Sequence, residues 1–337
     1  MGHRYDVYGI GNAIVDTEVQ VEDLLLAAHG LRKGIMTLVS MDAQQELLHG
    51  LEGYARHAAA GGSAANTMVG VAQFGGRAFF TGKVGSDMSG ALYRESMAEA
   101  GVELDVEGHD SMPTGTCLVL VSADGERTMQ TSLGASALLT KNDIEEDRLT
   151  ESQVLYVEGY LFGAESPAEA ALHAMETAKA AGVRVALTLS DPGLAEHCID
   201  QFRRATREYV DVLFCNEHEA RIYTGGRNDG REVVLRALAA DCPMVFMTCG
   251  ADGSMVLDNG AILEVPGYKV PVVDTTGAGD VYAAGALYGI TNGRSLTQAA
   301  QLGSFASAKI ITSLGPRLKE PLAGQIDAIL DGAQPAD

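Results

Sequence analysis

The residues best suited to chemistry lie in one segment, Asp274-Thr275-Thr276-Gly277-Ala278-Gly279-Asp280, which runs into the alanine-rich stretch Val281-Tyr282-Ala283-Ala284-Gly285. Three small residues opening a helix leave backbone N–H groups unpaired and pointed outward, and the helix dipole adds positive potential. Gly277, Ala278 and Gly279 therefore read as an anion cradle. Asp280 puts a carboxylate in the same first turn, where it can take a proton from a hydroxyl attacking a bound phosphoryl group. The plainer account is an ordinary helix start with an acidic residue favoured by the dipole. Glycines on both sides of Ala278 weigh against it, because they cost helix stability unless a ligand approaches the backbone.

A second glycine-rich helix start is Ala60-Gly61-Gly62-Ser63-Ala64-Ala65-Asn66. The bare amides of Gly61 and Gly62 with the carboxamide of Asn66 suit a polyhydroxylated ligand, and a plain turn with Ser63 as N-cap accounts for the same residues. Asn216 and Glu219 follow the apolar run Leu213-Phe214-Cys215 with the spacing of a capping box. Their second possible role is to order water around a magnesium–phosphate complex. The eight histidines are scattered without metal-ligand spacing.

Other familiar chemistries fail on single residues. Gly9-Ile10-Gly11-Asn12-Ala13-Ile14 begins like a dinucleotide loop but has Ile14 where a third glycine is needed, and Gly82-Lys83-Val84 lacks the hydroxyl of a P-loop. A Rossmann oxidoreductase therefore ranks last.

These segments need elements to position them. Short β-branched runs such as Val7 to Ile10, Phe79 to Thr81, Leu155 to Val157, Val183 to Leu187, Val210 to Phe214 and Val245 to Thr248 alternate with alanine-rich stretches of helical period. The helical stretches are 64–74, 88–100, 168–181, 232–240 and 282–288. That alternation predicts an α/β fold with a mainly parallel sheet covered by helices on both faces. Asp16 to Val21, Met36 to Val39, and Gly115 to Val121 with Thr128 to Thr131 around the turn Ala123-Asp124-Gly125 stand outside it. They read as a small inserted β lid formed by segments of about 13–42 and 112–133 within one domain spanning 1–337.

The 337 residues are 46% hydrophobic and carry 45 Asp+Glu against 24 Lys+Arg, a net charge of −21. So acidic a chain repels phosphate backbones and anionic lipid surfaces, which argues against nucleic-acid and membrane partners. Five dispersed cysteines, no C-x-x-C pair, no apolar leader and no long apolar run lead us to expect a soluble cytoplasmic protein.

Taken together, the motifs resemble those of the PfkB family of carbohydrate and nucleoside kinases, with the ribokinase fold. Gly61 to Asn66 matches its G-G-x-x-x-N signature, Asp274 to Asp280 its D-T-x-G-A-G-D signature, and Asn216 to Glu219 its N-x-x-E motif. Within that family, Gly11-Asn12-Ala13-Ile14-Val15-Asp16, Pro113 to Cys117 and Val210 to Phe214 resemble the adenosine kinases. Ala13 stands where the better-known adenosine kinases have proline, and Glu158-Gly159-Tyr160 replaces an Ala-Gly-Phe-like segment.

The resemblance implies a three-layer ribokinase-like sandwich and transfer of the γ-phosphate of Mg·ATP to the 5′-hydroxyl of adenosine. It implies Asp280 as base, Gly277, Ala278 and Gly279 as anion hole, and Asn12, Asp16, Gly61, Gly62 and Asn66 as binders of ribose hydroxyls. Thr248, Gly250 and Gly253 fall on the family's nucleotide loop beside ATP. Arg127 is implied as a lid cation that approaches the phosphates, Tyr160 as the partner stacked on the purine, and Leu38 and Leu133 as apolar lid contacts. The strip Ala306-Ser307-Ala308 to Leu314-Gly315 lies where relatives hold a monovalent cation such as K+, with ligands unassigned. Another nucleoside (inosine, guanosine) or a sugar (ribose, fructose) stays open as acceptor. So does a non-catalytic nucleotide- or sugar-binding role on the same fold, and the chain is expected as a monomer or a homodimer.

Overall fold

A computed structural model of the chain describes residues 2–106, 108–226 and 228–335. The β-branched runs form a nine-stranded sheet in the order Ala261–Pro266, Gly253–Asp258, Met244–Thr248, Val212–Asn216, Arg184–Thr188, Ser152–Val157, Tyr5–Ile10, Ala78–Thr81, Glu103–Asp105. From Met244–Thr248 to Glu103–Asp105 every neighbouring pair is parallel, as the alternation of elements predicts. The two strands at the opposite edge are antiparallel and were not foreseen. Their hairpin turns through Asn259 and Gly260, both at positive φ.

Helices cover both faces, because strands buried on two sides need two apolar layers. Met175, Phe202, Leu213 and Leu235 anchor one core; Met68, Phe80, Phe246 and Tyr282 anchor the other. The chain leaves Tyr5–Ile10 for Ala78–Thr81 on one side and later returns as Ser152–Val157 on the other. This reversal opens a crevice at the C-terminal ends of the strands, where ligands bind in open α/β sheets. No helix among the described residues is long and apolar enough to cross a membrane.

The lid is a five-stranded sheet in the order Met36–Leu38, Arg127–Ser132, Gly115–Val121, Ile14–Gln20, Arg56–Gly61. The expected hairpin is present, with Thr128 opposite Leu120 and Arg127 opposite Val121. Arg56–Gly61, however, lies beyond the segment expected to form the lid. Its Ala58-Ala59-Ala60 has no β-branched residue, and it becomes a strand by pairing with Ile14–Val19.

Hydrogen bonds seat the lid on the body. The Thr275 hydroxyl donates to the Gly125 carbonyl at 2.8 Å, and the Met36 N–H donates to Asp191 Oδ2 at 3.3 Å. Lys33 ties the lid's parts together through Asp23 at 2.9 Å and Asp124 at 2.7 Å.

Candidate active site

Between lid and body lies a cavity of about 260 Å³. Its floor is made where the parallel strands end: Asn12 after Tyr5–Ile10, Glu158 after Ser152–Val157, Ser190 after Arg184–Thr188, and Asn216 and Thr248 as the last residues of their strands. Its roof is the lid's inner face. The two-residue period of a strand turns Ile14 and Asp16, Cys117 and Val119, and Arg127, Met129 and Thr131 toward it.

The helix Ala278–Thr291 begins at this cavity with Gly277 as its N-cap at φ 75°. A Cβ on Gly277 would run into the Pro316 backbone, so only glycine lets the loop fold so closely. Asp274 fixes the approach: Oδ1 accepts from Thr276 N at 2.8 Å and from the Thr276 hydroxyl at 2.6 Å, and Oδ2 accepts from Gly315 N at 3.0 Å. Gly277, Ala278, Gly279 and Asp280 all line the cavity.

Asp280 is held from the second glycine-rich helix. The Ser63 hydroxyl donates to Oδ1 at 2.7 Å and Asn66 Nδ2 to Oδ2 at 3.1 Å. Burial raises the Asp280 pKa, while these two bonds and the charges of Arg127 and Arg317 pull it back. A desolvated carboxylate held in place is a stronger base than a surface aspartate.

Ser63 is thus not the N-cap. That position belongs to Gly62, at φ 91°, where a Cβ would meet the Asn12 carbonyl. Gly61 does not itself line the cavity; a Cβ there would occupy the space of the Asp16 carboxylate. Asp16 is pushed up to about 7, first by burial and next by Glu18, with Arg317 opposing.

Arg127 lines the cavity and has no ion pair among the described residues. Leu38, Leu133 and Tyr160 line it, and the Tyr160 hydroxyl donates to the Ser190 carbonyl at 3.3 Å. Ser190 holds φ 69°, an uncommon conformation for a residue with a side chain.

Asn216 and Glu219 form a full capping box. Glu219 N donates to Asn216 Oδ1 at 2.8 Å, and Asn216 N donates to Glu219 Oε2 at 2.9 Å. Both also line the cavity, and burial pushes Glu219 up to about 7. Thr248 reaches the cavity wall, whereas Gly250 and Gly253 do not. They shape the turn behind it, at φ 59° and 100°, with Gly253 packed on the Val265–Gly267 backbone.

Three site residues escaped the sequence reading. Glu158 is buried in the cavity wall, and Arg317 donates from Nε to Asn66 Oδ1 at 3.1 Å. Ser63, read only as a cap, is a ligand of Asp280. An acidic residue directly after the apolar strand Leu155-Tyr156-Val157 was the available signal for Glu158.

The segment 306–315 packs on the Asp274 loop: Val273 N donates to the Ile311 carbonyl at 2.7 Å and the Ser307 hydroxyl to the Ala278 carbonyl at 2.6 Å. Among the described residues no group of three or more His, Cys, Asp or Glu is placed to hold a metal ion.

Comparison with known proteins places this arrangement. Residues 38–322 match the model of the pfkB family of carbohydrate kinases. The structure of adenosine kinase from Sinorhizobium meliloti superposes with a TM-score of 0.92 at 38% identity, covering 98% of this chain and 100% of that one. A probable sugar kinase from Rhizobium etli CFN 42 gives 0.92 at 35%, covering 97% and 98%. Fructokinase of Escherichia coli is 28% identical over 80% of this chain and 91% of its own length. The fold is ribokinase-like.

Proposed function

Because the chain belongs to the pfkB family of carbohydrate kinases, and is thus a phosphotransferase acting on an alcohol group, we propose that it phosphorylates the 5′-hydroxyl of adenosine with Mg·ATP. The observation that carries the reading is the meeting of Asp280 and the glycine-rich turn 277–279 with Asn12 and Asp16 in one cavity; of the three amides there, Ala278 N already donates to the Thr275 carbonyl at 3.2 Å. The likeness to the adenosine kinase of S. meliloti supports the nucleoside.

In this scheme Asn12 and Asp16 take the ribose hydroxyls, and the apolar lid residues Met36, Leu38 and Leu133 with Tyr160 enclose the base. The 5′-oxygen then attacks the γ-phosphorus in line, the bond to the bridging oxygen breaks, ADP departs, and the hydroxyl proton passes to Asp280. Negative charge on the transferring group is met by the amides of Gly277 and Gly279 and by Arg127. Thr248 faces the nucleotide. Magnesium would be carried by ATP, and Asn216 and Glu219, both lining the cavity, would order its water. A K+ ion beside the Asp274 loop belongs to the same proposal, tested by the rate in K+ against Na+. Lid closure excludes the water that would otherwise hydrolyse ATP.

A second reading keeps the chemistry and takes a free sugar. The likenesses to a probable sugar kinase and to fructokinase favour it. Coupled ADP release with adenosine, inosine, guanosine, cytidine, ribose and fructose, against a blank without acceptor, decides. Turnover led by adenosine supports the proposal, turnover led by a sugar replaces the acceptor, and none with any acceptor moves the weight to a non-catalytic nucleotide- or sugar-binding role.

A further inference from the structure

Glu158 sits at the end of Ser152–Val157, 1% exposed, and joins two segments remote in sequence. Its Oε1 accepts from Asn12 N at 3.3 Å and from Asn12 Nδ2 at 2.9 Å, and its Oε2 accepts from Ala64 N at 2.8 Å. Asn12 is 3% exposed, lines the cavity, and its Oδ1 has no partner.

We propose that Glu158 is a positioning residue: as a carboxylate it locks the Asn12 carboxamide with Nδ2 turned away from the substrate and Oδ1 turned into the cavity, which makes this subsite one for a hydroxyl that donates.

Above about pH 7 Glu158 is ionised and only accepts hydrogen bonds, so the carboxamide offers it Nδ2; the flipped amide would set Oδ1 against an anionic oxygen. The neighbouring groups complete the pattern. Asp16 is acceptor-only when ionised, and Asn66 spends its Nδ2 on Asp280 and its Oδ1 on Arg317. This corner therefore demands donors, as adjacent hydroxyls supply, and disfavours a ketone or a carboxylate in the same place. The substrate side of this inference rests on the kinase reading; the locked amide does not.

Two measurements test it. In protein labelled with 15N-asparagine, with the Asn12 side-chain signal identified by its loss in Asn12→Ala, we expect the Nδ2 protons to exchange slowly with solvent and to be released in Glu158→Gln. Equal exchange in the two proteins overturns the lock, whatever the acceptor. If Glu158→Gln does not fold, Glu158→Asp replaces it, being too short to span Asn12 and Ala64.

The second is a double-mutant cycle read in KM for whichever acceptor the panel identifies. Glu158→Gln should raise it about tenfold with KM for ATP unchanged, and by less than about twofold when added to Asn12→Ala. Equal effects in both backgrounds overturn action through Asn12. A wild-type protein inactive on every acceptor defeats the adenosine proposal instead, and the exchange result still decides the lock.

Discussion

Asn66 donates its side-chain amide to Asp280 Oδ2 at 3.1 Å, although 214 residues separate the two. The two glycine-rich signatures are thereby one hydrogen-bonded unit, completed by Ser63 on Oδ1 and by Arg317 on Asn66. Asn66 orients the Asp280 carboxylate.

If Ser63 and Asn66 act by holding Asp280, each alanine variant should lower kcat about tenfold, and the pair should cost less than the product of the two. Steady-state kinetics of the two single variants and the double variant check this. Fully multiplicative losses would show that they act separately.

Gly277→Ala should abolish most activity and destabilise the protein by about 1–3 kcal/mol, since alanine disfavours φ 75° and its methyl would meet Pro316. Denaturant unfolding measures the stability loss. Gly279→Ala serves as the contrast, because a Cβ there meets nothing within 4 Å and the fold should tolerate it.

Thr275→Val removes the 2.8 Å bond that seats the lid hairpin on the cradle. Closure should weaken, so ADP release without acceptor should rise relative to transfer. The blank of the coupled assay reads it; an unchanged ratio would mean that this bond does not govern closure.

Stability should fall as the solution is made alkaline. Asp16, Glu18, Glu158 and Glu219 are each pushed up to about 7, with burial the largest cause for all four. Between the ordinary carboxylate range and about 7 the folded protein binds more protons than the unfolded chain. Their contribution is full at acid pH and lost as pH rises through about 7, so the melting temperature should be lower at pH 8 than at pH 5.5. Glu18 Oε1 has no partner, and Glu18→Gln should recover part of that loss at pH 8 only. A higher melting temperature at pH 8 would contradict this.

Much of the machinery was legible because short-range rules produce it. The cradle follows from glycines opening a helix, the capping box from the spacing of Asn216 and Glu219, and the lid hairpin from the turn at Asp124-Gly125. What could not be read depends on partners distant in sequence. Arg56–Gly61 is a strand only because Ile14–Val19 lies beside it. Glu158 and Arg317 acquire their roles from Asn12 and Asn66, which no local pattern connects to them. Gly250 and Gly253 fit a loop motif, yet tertiary packing puts them behind the cavity wall.

The most direct test is Asp280→Asn, assayed for acceptor-dependent ADP release alongside ATP binding by calorimetry. We expect turnover to fall about a thousandfold or more with ATP affinity largely retained, because the asparagine fills the same space but takes no proton. An Asp280→Asn enzyme as active as the wild type would remove Asp280 as the base and with it the proposed mechanism.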